Sequence, residues 1–141
     1  MQVFISHAAQ DRELARQIGV QLVDAGLPVW NPDDQIYPGD NWAAKIGKAL
    51  EQSEIMVAVV TRDALESGSL INDIQFALTS KNFGGRVIPV LVDYVAVQPG
   101  VDVPWILLRL EPVFIDSAAP ALDKLVQRVK SSAETILHAA H

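Results

Sequence analysis

The residues able to do chemistry in this chain gather where short apolar runs stop. Val3-Phe4-Ile5 ends at Ser6-His7, Ile55-Met56-Val57-Ala58-Val59-Val60 ends at Thr61, and between them lies NPDDQIYPGD, from Asn31 to Asp40, with Trp42 just beyond. Together they offer hydroxyls, an imidazole, carboxylates and an indole: groups suited to holding phosphate or ribose, moving protons and stacking on a flat ring. Several chemistries are excluded at once. There is no cysteine, so a disulfide framework, a thiolate zinc site and a thiol nucleophile are absent. No GxxxxGK[ST] or GxGxxG string occurs. A phosphoacceptor receiver would need an acidic pair after the first apolar run and an Asp after the third; Ser6-His7 and Thr61 stand there. A flavin phosphate loop would need glycine and hydroxyls where Ala8-Ala9-Gln10-Asp11 stands. His138 and His141 read as exposed helix residues, and no metal site is expected.

The elements that must position these groups follow from patterning. The chain has 141 residues, half of them hydrophobic (50%), and a net charge of −6 from 17 acidic and 11 basic residues. Such a length buries about 68–70% of its unfolded surface as one domain, here residues 1–141. The acidic balance excludes a nucleic-acid surface, which needs clustered Lys and Arg. No run approaches the roughly 20 apolar residues of a membrane span. No basic segment precedes the short apolar run at the N-terminus, so no signal peptide is expected and the cytoplasm is the expected compartment.

Val3–Ile5 reads as a buried strand. From Asp11 to Ala25, Leu14, Ile18, Leu22 and Val23 fall on one helix face, closed by Gly26. Leu27-Pro28-Val29-Trp30 is an edge strand by its proline, and Asn31 to Asp40 is a loop. A helix from Asn41 to Gln52 carries Trp42, Ile46, Ala49 and Leu50 on its apolar side; Ile55–Val60 is a strand covered on both faces. A helical stretch after Thr61 breaks at Ser67-Gly68-Ser69 and resumes from Leu70 to Ser80. Arg86–Val92 is a strand, Asp93 to Pro104 is irregular, Val113–Ile115 is a strand, and Leu122 to Leu137 is a helix. Val95 to Leu108 is apolar for a connection, Trp105 included, and reads as a partly buried short helix or a surface for self-association. Alternating strands and helices predict an α/β flavodoxin-like three-layer sandwich: a five-stranded parallel sheet of order 2-1-3-4-5 with helices on both faces. Ligands of such sheets bind beyond the carboxyl ends where strand order reverses. That places a site near Ser6-His7, the Asn31 to Asp40 loop, Thr61 and the approach to Leu70.

Four strings occur in one order: Val3-Phe4-Ile5-Ser6-His7 followed by Asp11; Pro38-Gly39-Asp40-Asn41-Trp42; Ala49-Leu50-Glu51-Gln52-Ser53; and Asp73-Ile74-Gln75-Phe76-Ala77-Leu78. The set resembles the bacterial form of the Toll/interleukin-1 receptor (TIR) domain family over about residues 2 to 137. The resemblance implies one of two roles. Some members cleave the nicotinamide–ribose bond of NAD+ and release ADP-ribose or a cyclised product; others only self-associate, largely through the loop after the second strand. In bacteria such domains are often the N-terminal effector of an anti-phage defence protein, switched on by oligomerisation. By the same resemblance the chain is expected to be one module of a longer protein, with a sensor domain or partner protein beside it; the charge balance and the lack of a long apolar run predict no direct contact with nucleic acid or membrane. NAD+ enters as substrate, and no cofactor is expected.

Breaking an N-glycosidic bond builds positive charge on the ribose, which a carboxylate stabilises, while nicotinamide departs neutral and needs no general acid. The resemblance puts a Glu at the start of the helix after the third strand; the aligned residue is Asp73, shorter by about 1.5 Å of reach, and a misplacement of about 1 Å can cost on the order of a hundredfold in rate. Ser69 stands where an aromatic is common. Glu66, nearby in sequence, is the alternative carboxylate. The implied substrate-binding residues are Ser6, His7, Asp34, Trp42 and Ser69: Ser6 for pyrophosphate or ribose, His7 and Trp42 for the nicotinamide end, Asp34 for a ribose hydroxyl. The implied oligomerisation loop carries Pro32, Asp33, Asp34, Pro38 and Gly39. The shortened acid keeps a second expectation open, a TIR module that only docks or assembles through a degenerate site.

Overall fold

The computed structural model describes residues 2–30, 39, 41–84 and 86–139. Strands β1 (Val3–Ser6), β2 (Val29–Trp30), β3 (Ile55–Val60), β4 (Val87–Val92) and β5 (Val113–Ile115) form one sheet in the order β2-β1-β3-β4-β5, with every neighbouring pair parallel. The expected architecture is therefore the observed one. Helices α1 (Arg12–Asp24), α2 (Trp42–Gln52), α3 (Arg62–Ser67), α4 (Ser69–Thr79), α5 (Trp105–Arg109) and α6 (Asp123–Ala139) make the crossovers, with 3-10 turns at Ala9–Asp11 and Val95–Val97.

Both central strands are buried along their whole length, which explains their unbroken apolar runs. The pleat divides their side chains between two cores. Val3, Ile5, Val57, Val59 and Val90 pack beneath α1 and α6; Phe4, Met56, Ala58, Val60 and Leu91 pack beneath α2, α3, α4 and α5. Pro89 sits inside β4, where a proline removes a ladder donor. The position tolerates it because β5 pairs only with Val90, Leu91 and Val92, leaving one side of β4 open at Pro89.

Two local departures from the sequence reading have simple causes. The edge strand shortens from the expected Leu27–Trp30 to Val29–Trp30, because the contact before it is a single bond from the Val3 amide to the Pro28 carbonyl at 2.9 Å. Trp30 stacks on Phe4 with ring centroids 5.3 Å apart and so covers that edge. The first helix starts one residue late, at Arg12, after the 3-10 turn. The break between α3 and α4 falls on Gly68, whose φ of +79° turns the chain without a Cβ penalty. In the connection to β5, α5 buries Leu107 but leaves Trp105 69% exposed, with the Arg109 guanidinium 6.0 Å from its ring centroid. Of the loop from Asn31 to Asp40, only Gly39 lies within the described residues.

Candidate active site

The site begins with the alternation of β1. Ser6 is its last residue, falls on the Phe4 side of the sheet and pairs with Ala58, whose small side chain leaves room above the strand. Facing it, α4 packs Leu70, Ile74 and Ala77 against that side. Asp73 lies three residues after Leu70 and one before Ile74, so the helix period carries it into the sheet-facing stripe rather than to solvent. The two meet. Ser6 Oγ donates to Asp73 Oδ2 at 2.7 Å across 67 positions of sequence, with Ser6 only 2% exposed and Asp73 half-buried.

Burial pushes the Asp73 carboxyl above its ordinary range, and the Ser6 hydroxyl and the nearby His7 ring pull it partly back. His7, half-buried, directs Nδ1 at the Ala8 carbonyl 2.8 Å away. A carbonyl only accepts, so this bond puts the proton on Nδ1 and leaves Nε2 an acceptor in the neutral ring. Nε2 is buried and has no partner among the described residues.

Beside this pair, Thr61 joins two loops. Its Oγ1 accepts from the Ala64 amide at 3.1 Å, capping α3, and donates to Asp11 Oδ2 at 2.5 Å. Asp11 is half-buried, and desolvation raises its carboxyl, helped by the charge of Asp63 and opposed by Thr61 and His7. A cavity of about 400 Å³ opens here at the carboxyl ends of β3 and β4, lined by Asp11, Gln17, Thr61, Asp63, Asp93 and Ser117 among others. Ser6, His7 and Asp73 do not line it, so this cavity lies beside the Ser6–Asp73 pair and not over it. Among the described residues, no cluster of His, Asp and Glu has the arrangement of a metal site.

The remaining sequence candidates divide simply. Trp42 opens α2 and Ser69 opens α4, at the same end of the sheet, with their side chains outside the described residues. Asn41 caps α2 by accepting from the Ala44 amide at 3.1 Å, which fixes where Trp42 enters the helix. Pro32, Asp33, Asp34 and Pro38 lie outside the described residues; Gly39 is exposed with φ +93°. Glu66 pairs with Arg62 at 3.3 Å on an exposed face of α3. The His138 side chain and His141 also lie outside the described residues. The Asp11–Thr61 bond went unforeseen, although a Thr placed directly before Arg62-Asp63-Ala64 at a strand end signals a cap.

Comparisons with known proteins bear on the family and the fold. A curated relative, the probable 2' cyclic ADP-D-ribose synthase TcpO of Methanobrevibacter olleyae, is 30% identical over 66 residues, a match that covers 46% of this chain and 19% of the relative. This chain therefore corresponds to a small part of that protein. Among solved structures, the TIR domain of the Toll-related receptor TRR-2 from Hydra magnipapillata is similar with a TM-score of 0.61 and 25% identity, over 90% of this chain and 89% of that one. A metazoan TIR-STING receptor from C. gigas, solved in complex with 2',3'-cGAMP, shares the fold with a TM-score of 0.66 at 17% identity, over 90% of this chain and 38% of the receptor. The TIR domain family model matches residues 3–126. With nearly the whole sheet and its crossovers inside that match, the chain belongs to the TIR domain family.

Proposed function

We propose that this chain is an NAD+ nucleosidase: a TIR effector that breaks the nicotinamide–ribose bond and is switched on by oligomerisation, in bacterial anti-phage defence. The observation that carries the reading is Asp73, a half-buried carboxylate held by the Ser6 hydroxyl at the end of the sheet where strand order reverses. A carboxylate removed from bulk water interacts more strongly with a developing ribose cation than an exposed one does. His7 and Trp42 flank the nicotinamide end, water or a ribose hydroxyl captures the cation, and nicotinamide leaves as a neutral base. The name of the TcpO relative, a probable cyclic ADP-ribose synthase, supports the same substrate class. NAD+ is the substrate and no cofactor takes part. The reading places the protein in the cytoplasm as a module of a longer chain; among the described residues no helix is long and apolar enough to cross a membrane.

The test is nicotinamide release from NAD+ by the concentrated domain or by the assembly joined to its activating partner. Wild-type protein releases nicotinamide, and Asp73→Asn abolishes release while keeping assembly. No release by the activated assembly refutes the enzyme. A second reading, a TIR scaffold with a degenerate site, is favoured by one observation: Asp73 is a methylene shorter than the family's Glu, and one of its oxygens is already bonded to Ser6. Assembly without release, unchanged by Asp73→Asn, is the result that selects it.

A further inference from the structure

We infer that Ser6 is a positioning residue for Asp73 and not a ligand of the substrate. The inference rests on the NAD+-cleavage reading and deepens it. A hydroxyl that binds pyrophosphate must present a donor to the cleft, and one that binds ribose must at least reach it. Ser6 is 2% exposed, and its hydroxyl proton is spent on Asp73 Oδ2 at 2.7 Å. Its position cannot drift, because Ser6 closes β1 in register with Ala58 of β3, on a strand buried along its length. The bond therefore transmits the rigidity of the sheet to a side chain one turn inside α4. One carboxylate oxygen is held on the strand, which makes Oδ1 the oxygen that would meet the ribose. A short acid on a helix gains most from such a tether, since freely rotating it would spread its charge over positions about 1 Å apart, enough to cost on the order of a hundredfold in rate. The hydroxyl also favours the ionised carboxyl against the desolvation that opposes it.

The experiment pairs kinetics with a titration that needs no turnover. In the activated assembly, Ser6→Ala lowers kcat about 10- to 100-fold and leaves KM within about twofold. The acid limb of the kcat profile moves to higher pH. In the ligand-free domain, the Asp73 carboxyl carbon followed by NMR titrates at higher pH in Ser6→Ala than in wild type. Ser6→Cys, close in size but a weak donor, follows Ser6→Ala, whereas Ser6→Thr, which restores the hydroxyl, recovers both the rate and the titration. An Asp73 titration unmoved by Ser6→Ala overturns the inference, as does a lower kcat with an unmoved acid limb, since lost packing alone would give that. Failure of the underlying reading looks different: the activated wild-type assembly releases no nicotinamide, or Asp73→Asn releases it at the wild-type rate, while the Asp73 titration in the ligand-free domain still reports the Ser6 bond.

Discussion

Thr61→Val isolates the contribution of one hydroxyl to the frame around the site. The substitution keeps the size and β-branching of the residue and deletes both bonds of Oγ1, the cap on the Ala64 amide and the bond to Asp11. Losing a helix cap costs about 0.5–2 kcal/mol. Losing a hydrogen bond to a charged partner costs about 1.5–3 kcal/mol, reduced here because Asp11 is only half-buried and recovers some contact with water. The combined loss is about 2–4 kcal/mol. For 141 residues the unfolding entropy is about 0.3 kcal/mol/K, so the melting temperature falls by about 7–13 °C. Thr61→Ser retains both oxygen bonds and falls by no more than about 3 °C. Thermal unfolding by circular dichroism reads both variants.

The pH dependence supplies an internal check. Desolvation already raises the Asp11 carboxyl, and without the Thr61 hydroxyl it rises further. A protonated Asp11 needs no donor, so the gap between Thr61→Val and Thr61→Ser narrows as pH falls from about 7 to about 4. Equal melting temperatures for the two variants at neutral pH, or a gap that widens in acid, refute the reasoning.

Two further outcomes follow from the same physics. Because burial raises the Asp73 carboxyl above the ordinary aspartate range, the folded state binds that proton more tightly than the unfolded chain does; stability is lost as pH climbs from the ordinary aspartate value through the raised one and is level above it. Asp73→Asn removes this loss, so its melting temperature relative to wild type is more favourable near pH 7 than near pH 4, and the opposite order in a melt series contradicts the assigned burial. At Gly39, φ +93° disfavours any Cβ, so Gly39→Ala costs about 1 kcal/mol locally and re-aims the loop. Sedimentation of the concentrated domain then shows weaker assembly, and unchanged assembly removes this loop from the interface.

The fold was legible because its strands are nearly pure: β3 and β4 hold no solvent-facing residue, so their runs of Val, Ile and Leu announce a parallel sheet, and alternation with helical periods leaves few topologies. Gly68 marked the α3–α4 break for a reason intrinsic to the residue. The site was legible in part. The family strings singled out Asp73, and its burial was also written in the spacing Leu70, Asp73, Ile74, Ala77, an acid inside an apolar stripe. Its partner was not, because Ser6 lies 67 positions away and a hydroxyl at a strand end looks the same whether it caps a turn, binds phosphate or holds a carboxylate. Thr61 and Asp11, 50 positions apart, were hidden for the same reason. Tertiary geometry alone chooses among those uses.

The division of the molecule into two cores by the pleat has a practical consequence for engineering. Ser6 and Asp73 both stand on the α4 side, whereas Val3, Ile5, Val57, Val59 and Val90 meet Leu22, Leu125 and Val129 on the other. Repacking on that opposite side, or better helix formers on the exposed faces of α1 and α6, can raise the melting temperature with the carboxylate's surroundings untouched. The sheet thus separates a reservoir of stability from a site where added rigidity or lost burial would be felt directly. A thermostabilised version for assembly and turnover assays is best sought by mutating the α1 and α6 face alone.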